Sequence, residues 1–330
     1  MLKYILKRIG LSIVILIGVS LIIYFLIRLM PVDFIQNKVN AMNQSNTVPA
    51  DAVQKLYEMY GLDNSGFKGI VKGYFNWLGA LAKLDLGKSF VDYAPVSEVI
   101  AKNMGISFAV ALIATVFEFM IAIPLGITAA THQYSVTDYV VTIFVMIGIS
   151  LPSFFFGQIL ISIFAMKLGW FPSGGLVDAT VSGLSFAGRM LDYIRHLFIP
   201  ILTIVILSIG GRMRMTRTNM LEVMNSDYIR TARAKGLKEK KVVYKHAFRN
   251  TLIPLVTGLA GLLPGLFSGA IITEQVFALP GIGNKALQAM QQGDIPFIMG
   301  YNMFLALLSV IGVLLADLAY SMVDPRVKLG

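Results

Sequence analysis

Long apolar runs bounded by charged clusters dominate the hydrophobic pattern of this chain. After Lys3, Lys7 and Arg8, the stretch from Ile9 to Ile27 is an uncharged run of 19 residues that ends at Arg28. That length is close to the roughly 20 apolar residues a helix needs to cross a bilayer. A cleaved secretory signal would have a shorter apolar stretch and a small-residue cleavage site, and neither precedes Arg28, so the run is predicted to stay as a first span. Further spans are predicted at about 104–130, 138–166, 198–212, 252–276 and 298–322, each carrying at most one or two charges. The pattern therefore predicts an all-α integral membrane protein with about six transmembrane helices.

The polar stretches between these runs set the organisation. Between Arg212 and Arg249 stand eleven Lys or Arg against three acids, Glu222, Asp227 and Glu239. By the positive-inside rule this loop, 213–251, is expected in the cytoplasm, and six spans then put both termini there too. The units expected are an N-terminal helix over 1–28, an extracytoplasmic segment over 29–103, and a core of about five spans over 104–330. In the second unit, helical spacing of Val53, Leu56, Tyr57 and Tyr60, then Ile70, Val71, Tyr74, Phe75 and Leu78, predicts short amphipathic helices. Packing on the spans and docking of an extracytoplasmic partner are both open readings of them. The turn Phe171-Pro172-Ser173-Gly174-Gly175 follows the third span, with Trp170 and Phe171 placed as interface anchors.

Composition narrows the class. The 330 residues are 56% hydrophobic and 14% charged, too apolar for one soluble core under a charged surface. The net charge of +10 is concentrated in the basic loop, so it points to a membrane flank and not to nucleic acid. Cysteine is absent, which excludes disulfides, thiolate metal sites and a cysteine nucleophile. The three histidines, His132, His196 and His246, lie far apart, so no metal site and no cofactor are expected in this chain. No nucleophile–base set and no phosphate-binding P-loop occurs, so the chain is not expected to be an enzyme or to hydrolyse ATP itself.

Inside the spans, Pro124, Pro152, Pro200 and Pro264 each remove a backbone donor, as in kinked helices that line a pathway and equally in ordinary packed ones. Gly261, Gly265 and Gly269 recur every four residues and predict one helix face open to close packing, within this chain or against a sister subunit. Glu118, Glu274 and Asp317 fall at membrane depth, with no Lys or Arg of the spans in evidence to pair with them. They read as structural hydrogen-bonding groups or, in an ion-gradient-driven carrier, as its proton site.

The strongest local signal is Asn225-Ser226-Asp227-Tyr228-Ile229-Arg230-Thr231-Ala232-Arg233-Ala234-Lys235-Gly236. Asn225, Ser226 or Asp227 suits a helix start and Gly236 its end. A second helix is expected from Lys238 to about Asn250, with Val242, Val243, His246 and Ala247 on one face. Two short helices meeting at a glycine, with small Ala232 and Ala234 among basic residues, make a knob that fits a groove on another protein. Charge alone would also attract such a loop to anionic lipid, but lipid attraction explains neither the small residues nor the glycine.

This loop resembles that of the permeases of binding-protein-dependent ABC importers, specifically the oligopeptide and dipeptide class. The family pattern of Glu-Ala-Ala, three residues and Gly aligns as Arg230-Thr231-Ala232 with Gly236, so the second alanine and the glycine match. His246, Phe248 and Arg249 depart from the general pattern, but DYIRTARAKGL through HAFRNTLIP is similar to the peptide-class form of the loop. Further similar segments follow in family order: MLKYILKRI, YGLD at 60–63, LDLGKSF at 84–90, LPSFFFG at 151–157, LGWFPSGG at 168–175, TEQVFALPGIG at 273–283 and DPRV at 324–327.

The resemblance implies a type I importer permease, the first of a pair, in a bacterial or archaeal cell membrane. It implies a second related permease, two cytoplasmic ATP-binding subunits holding ATP and magnesium, and an extracytoplasmic binding protein that delivers peptide. In it Asp227, Tyr228, Arg230, Thr231, Ala232, Arg233, Ala234, Lys235 and Gly236 couple to the ATPase. Phe277, Pro280, Gly281 and Gly283 stand at an outer gate. A dipeptide or nickel importer is the nearest alternative cargo.

Overall fold

The computed structural model describes residues 2–28, 67–178, 183 and 185–323. The expected helix around Val53 to Tyr60, the YGLD segment and the DPRV ending lie outside the described residues. In chain order the helices are α1 (Leu2–Arg28), α2 (Phe67–Leu81), α3 (Val96–Thr131), α4 (Val136–Ser150) and α5 (Ser153–Leu160), which runs on as a π-helical stretch Ile161–Lys167. Next come α6 (Phe186–Met224), α7 (Asp227–Ala234) and α8 (Glu239–Lys241), followed by a π-helical stretch Val242–Ala247. The chain closes with α9 (Phe248–Thr257), a 3-10 turn Gly258–Gly261, α10 (Leu262–Phe267), α11 (Ile271–Val276), α12 (Ile282–Gln292) and α13 (Ile295–Val323).

Among the described residues four helices are long and apolar enough to cross a membrane, α1, α3, α6 and α13, and the bent α4–α5 pair makes a fifth if it is taken as one span. The structure revises three expected spans. The short run at 198–212 is the middle of α6, which is 39 residues long because Ser185 caps its start by accepting from Gly188 N–H and its basic C-terminal half continues as helix. The run at 138–166 turns through 102° between α4 and α5, where Pro152 cannot donate into the helix of α4. The run at 252–276 is not one helix: it is tightened at Gly258–Gly261 and interrupted again before α11, with Gly269 left-handed at φ +70.

α3 and α6 form the most extensive helix pair, and α4 packs on both. Small residues allow it: a Cβ on Gly126 would sit 2.7 Å from Thr216 Cβ, and one on Gly148 would sit 2.9 Å from the Ile206 carbonyl oxygen. Ala114, Ala122, Val145, Val205, Ile209 and Met213 fill the seam. α1 lies along α13, joined by an Arg8–Asp317 ion pair at 3.0 Å. α2 touches α1 through Tyr74, whose hydroxyl is 3.0 Å from Ser20 Oγ. Of the expected α2 face Tyr74 is buried but Phe75 is exposed. Ile13, Val14, Phe144, Ile147 and Phe154 also stay exposed, an apolar outer surface suited to lipid.

Candidate functional site

Chemistry-bearing side chains gather at the two opposite ends of the α3–α6 pair. At the end where α6 finishes, α7 and the helix begun by α8 fold back onto the bundle. Ile229 and Ala232 of α7 are buried with Met220 of α6, Ile127 and Ala130 of α3, and Val242, Val243 and Ala247 of the π-helical stretch. The expected Val242–Ala247 face is therefore inside, with His246 at its edge. Ala232 seats α7 on its own chain, so its methyl does not lie on the outer face of the knob. That outer face carries Asp227, Tyr228, Arg230, Thr231, Arg233, Ala234, Lys235 and Gly236, all exposed.

Local chemistry shapes this knob. Ser226 holds the N-cap position of α7, but its hydroxyl donates back to the Val223 carbonyl and caps no N–H of the helix. Gly236, at φ +73, ends the helix, and an added Cβ there meets nothing within 4 Å. Arg233 then grips Glu239 through two hydrogen bonds of 2.7 and 3.2 Å, closing the α7–α8 turn. The Arg233 guanidinium holds the Glu239 carboxyl below its usual range, and Glu239 raises Arg233 in return.

Just inside this end, two ion pairs fasten α6. Arg217 donates to both carboxylate oxygens of buried Asp138 on α4, at 3.0 and 2.8 Å. Arg212 donates to Glu118 on α3 at 3.0 Å, and its guanidinium lies 4.4 Å from the centre of the Phe119 ring. Glu118 and Asp317 are thus paired, contrary to the expectation that no cation of the spans stands near them.

The opposite end is built around Glu274, which is buried. Its Oε1 accepts from Ser107 Oγ at 2.6 Å and Ala270 N–H at 3.2 Å, and its Oε2 accepts from Asn284 N–H at 2.8 Å. Ser107 Oγ in turn accepts from Ile282 N–H. A side chain at Gly281 would collide with this carboxylate, and one at Gly283 would be held tightly at 3.0 Å from its Oε2, which accounts for the glycines of the 273–283 segment. Phe277 is buried with Val110, Leu160, Ile161, Ile199 and Leu279, while Pro280 is exposed. Gly157 packs on Phe277, and Gly175 N–H donates to the Phe277 carbonyl at 2.8 Å. The 151–157, 168–175 and 273–283 segments therefore converge on one residue.

The 84–90 segment joins the same end. Fully buried Asp294 accepts from Ser89 Oγ and from Phe90 N–H at 3.0 Å, and Lys285 reaches Asp92 at 2.6 Å. Pro280, Gly281, Asn284 and Lys285 line a polar cleft of 560 Å³ with Asp92 and Glu98. Gly261 and Gly265 do not share a helix face with Gly269: an added Cβ on either meets nothing, whereas one on Gly269 would sit 2.5 Å from Gly283 N. The close approach of α13 to this region comes from Gly312, against the Ala260 carbonyl.

This architecture has matches among known families. Residues 122–329 match the family described as "Binding-protein-dependent transport system inner membrane component", and residues 1–112 match its N-terminal membrane component. The chain belongs to this family. The permease is 37% identical over 329 residues to the oligopeptide transport system permease protein AppB of Bacillus subtilis, covering 99% of this chain and 100% of that protein. It is 32% identical to the di/tripeptide transport system permease protein DppB of Pseudomonas aeruginosa, covering 99% of each chain. Its fold is similar to that of an inward-facing MetNI methionine ABC transporter structure, with TM-score 0.50, 20% identity, and coverage of 70% of this chain and 98% of that one.

Proposed function

We propose that this permease forms half of the pathway of an ATP-driven oligopeptide importer and is coupled to its ATPase through α7. The observation that carries this reading is the two-sided character of α7. Ile229 and Ala232 lock it to the ends of α3 and α6, while Tyr228, Arg230 and Lys235 are presented outward. A helix seated that way passes a push on its outer face directly to the bundle, whereas a solvated basic loop would not. The knob lies in the cytoplasm against one of two ATP-binding subunits, which hold ATP and magnesium. The permease has no ATPase site of its own.

The other end faces the opposite side of the membrane, where a peptide-binding protein docks near the Pro280 cleft. Phe277, Pro280, Gly281 and Gly283 act there as a gate whose shape Glu274 fixes. A second permease completes the pathway, and the open Gly261 and Gly265 positions suit a helix of that partner. Peptide is favoured over nickel as cargo by the similarity to the oligopeptide and di/tripeptide permeases. The ion pairing of Glu118 and Asp317 and the hydrogen-bonded burial of Glu274 disfavour an ion-gradient carrier, whose proton site needs a carboxylate open to water.

Co-expression with neighbouring genes and purification in detergent tests the assembly. A second permease, ATP-binding subunits and peptide-stimulated ATP hydrolysis are expected. A stable homo-oligomer with gradient-driven uptake and no ATPase would overturn the reading.

A further inference from the structure

Asp178, Asp192 and His196 meet at the Glu274 end, where the 171–178 segment folds onto the first turns of α6. One ligand-capable atom from each lies within 4.8 Å of the other two. The His196 side chain is 1% exposed and that of Asp192 9%, while Asp178 is open to solvent. Asp178 N–H donates to Asp192 Oδ2 at 3.1 Å, which brings the segment to the helix and orients the buried carboxylate.

The tautomer of His196 is the informative detail. Its Nδ1 lies 2.9 Å from the Asp192 main-chain oxygen, and a carbonyl only accepts, so Nδ1 carries the proton. A neutral ring then has a bare lone pair on Nε2, and Nε2 faces Asp178 Oδ1 at 3.6 Å. Two acceptors held face to face repel unless a proton or a metal cation lies between them. The gap is too long for a hydrogen bond. It is close to the spacing of about 3.4 Å between two ligands bound tetrahedrally at roughly 2.0–2.2 Å from one zinc ion. A ring N–H given to a main-chain carbonyl is also how metal-binding histidines are commonly held. Among the described residues no Lys or Arg pairs with Asp178 or Asp192, so the buried Asp192 carboxylate has beside it only the Asp178 N–H and the imidazole, whose Nδ1 lies 3.5 Å from its Oδ1.

We propose that Asp178, Asp192 and His196 bind one divalent transition-metal cation, zinc being the best match to one imidazole and two carboxylates, with water completing the coordination. The ion joins the 171–178 segment to α6. Because Gly175 of that segment donates to the Phe277 carbonyl, it also braces the Phe277 region.

The test uses the full chain in detergent, purified on a tag without histidine, stripped with a chelator and titrated with zinc against a chromophoric competitor. One zinc per chain is expected, with a higher Tm in zinc than in equal magnesium. Asp178→Asn alters an exposed side chain and leaves its main-chain bond to Asp192 intact. It should weaken zinc at least tenfold and remove the Tm rise, and His196→Gln should abolish both. If His196→Gln does not purify as a monodisperse species, Asp178→Asn decides alone. Failure of the wild type to take up zinc, equal binding of magnesium, or unchanged zinc affinity in Asp178→Asn would each overturn the site, and His196 would then be a protonated bridge between two carboxylates. None of these readouts depends on what the permease transports.

Discussion

Glu118 on α3 and Arg212 on α6, 94 residues apart, meet at 3.0 Å with the guanidinium resting over Phe119. The pair sits where the two longest helices are packed together, so removing one partner strands the other in a poorly solvated place. Glu118→Ala should lower stability by about 3 kcal/mol, seen as a fall in the Tm of the detergent-purified protein. Combining it with Arg212→Met should restore part of the loss. Transport lost without any change in Tm would point to a carboxylate working in ion movement.

Arg217 presents a planar fork to Asp138, and lysine cannot reproduce two parallel bonds. Arg217→Lys should therefore loosen α4 from α6 even though charge is conserved, at a cost of about 1–2 kcal/mol. Faster hydrogen exchange confined to α4 and the adjoining turn of α6 would report it.

Gly236 combines a left-handed backbone with open space around its missing Cβ. Gly236→Val should cost about 1–2 kcal/mol in backbone strain without steric collision. Membrane insertion and monodispersity should survive while substrate-stimulated ATP hydrolysis in the assembled transporter falls. Gly236→Asn, which tolerates the left-handed region, should fall less. Normal uptake by Gly236→Val would remove α7 from the coupling role.

At Glu274 every oxygen contact comes from a donor. Glu274→Gln places an amide N–H against one of them, and the unsatisfied buried group should cost about 1–3 kcal/mol. Gly281→Ala should be worse, because its methyl overlaps the carboxylate itself. Both effects are readable as yield of monodisperse protein and as protease cleavage within 269–284.

The Arg233–Glu239 clasp carries a pH dependence. Glu239 titrates below its ordinary value when folded, so its contribution is present above the ordinary glutamate range near pH ~4.3 and is lost as pH falls through the depressed value. Both side chains are largely exposed, so added salt should weaken the clasp at neutral pH as well. Exchange protection at the α7–α8 turn should be flat from pH 8 to 5 and drop below pH 4.

Hydrophobic run length made α1, α3 and α13 legible in the sequence, because the bilayer demands an unbroken apolar helix. The knob was legible too, through the Gly236 stop and the Val242–Ala247 face. Proline and glycine marked where helices bend but not how far, so the 102° turn at Pro152 and the pieces of 252–276 emerge only when neighbours supply or withhold hydrogen-bond partners. The side-chain pairs were hidden by distance along the chain: Asp138 to Arg217 spans 79 residues and Ser89 to Asp294 spans 205. His196 looked solitary because the other histidines lie far from it in sequence, whereas its neighbours are carboxylates, Asp178 on the segment before α6 and Asp192 four residues back on its own helix.

α3 has 36 residues and, at 1.5 Å per residue, forms a rod about 54 Å long. Ser107, about a third of the way along it, holds the Glu274 network, and Ile127 and Ala130 near its far tip seat α7. A rod gripped at two points about 33 Å apart turns angle into displacement: pivoting by about 5° about one grip sweeps the other through about 3 Å, two residues' rise along a helix. Leverage of that kind needs no relay of side-chain rearrangements along the way, only a shaft stiff enough not to bend at Pro124.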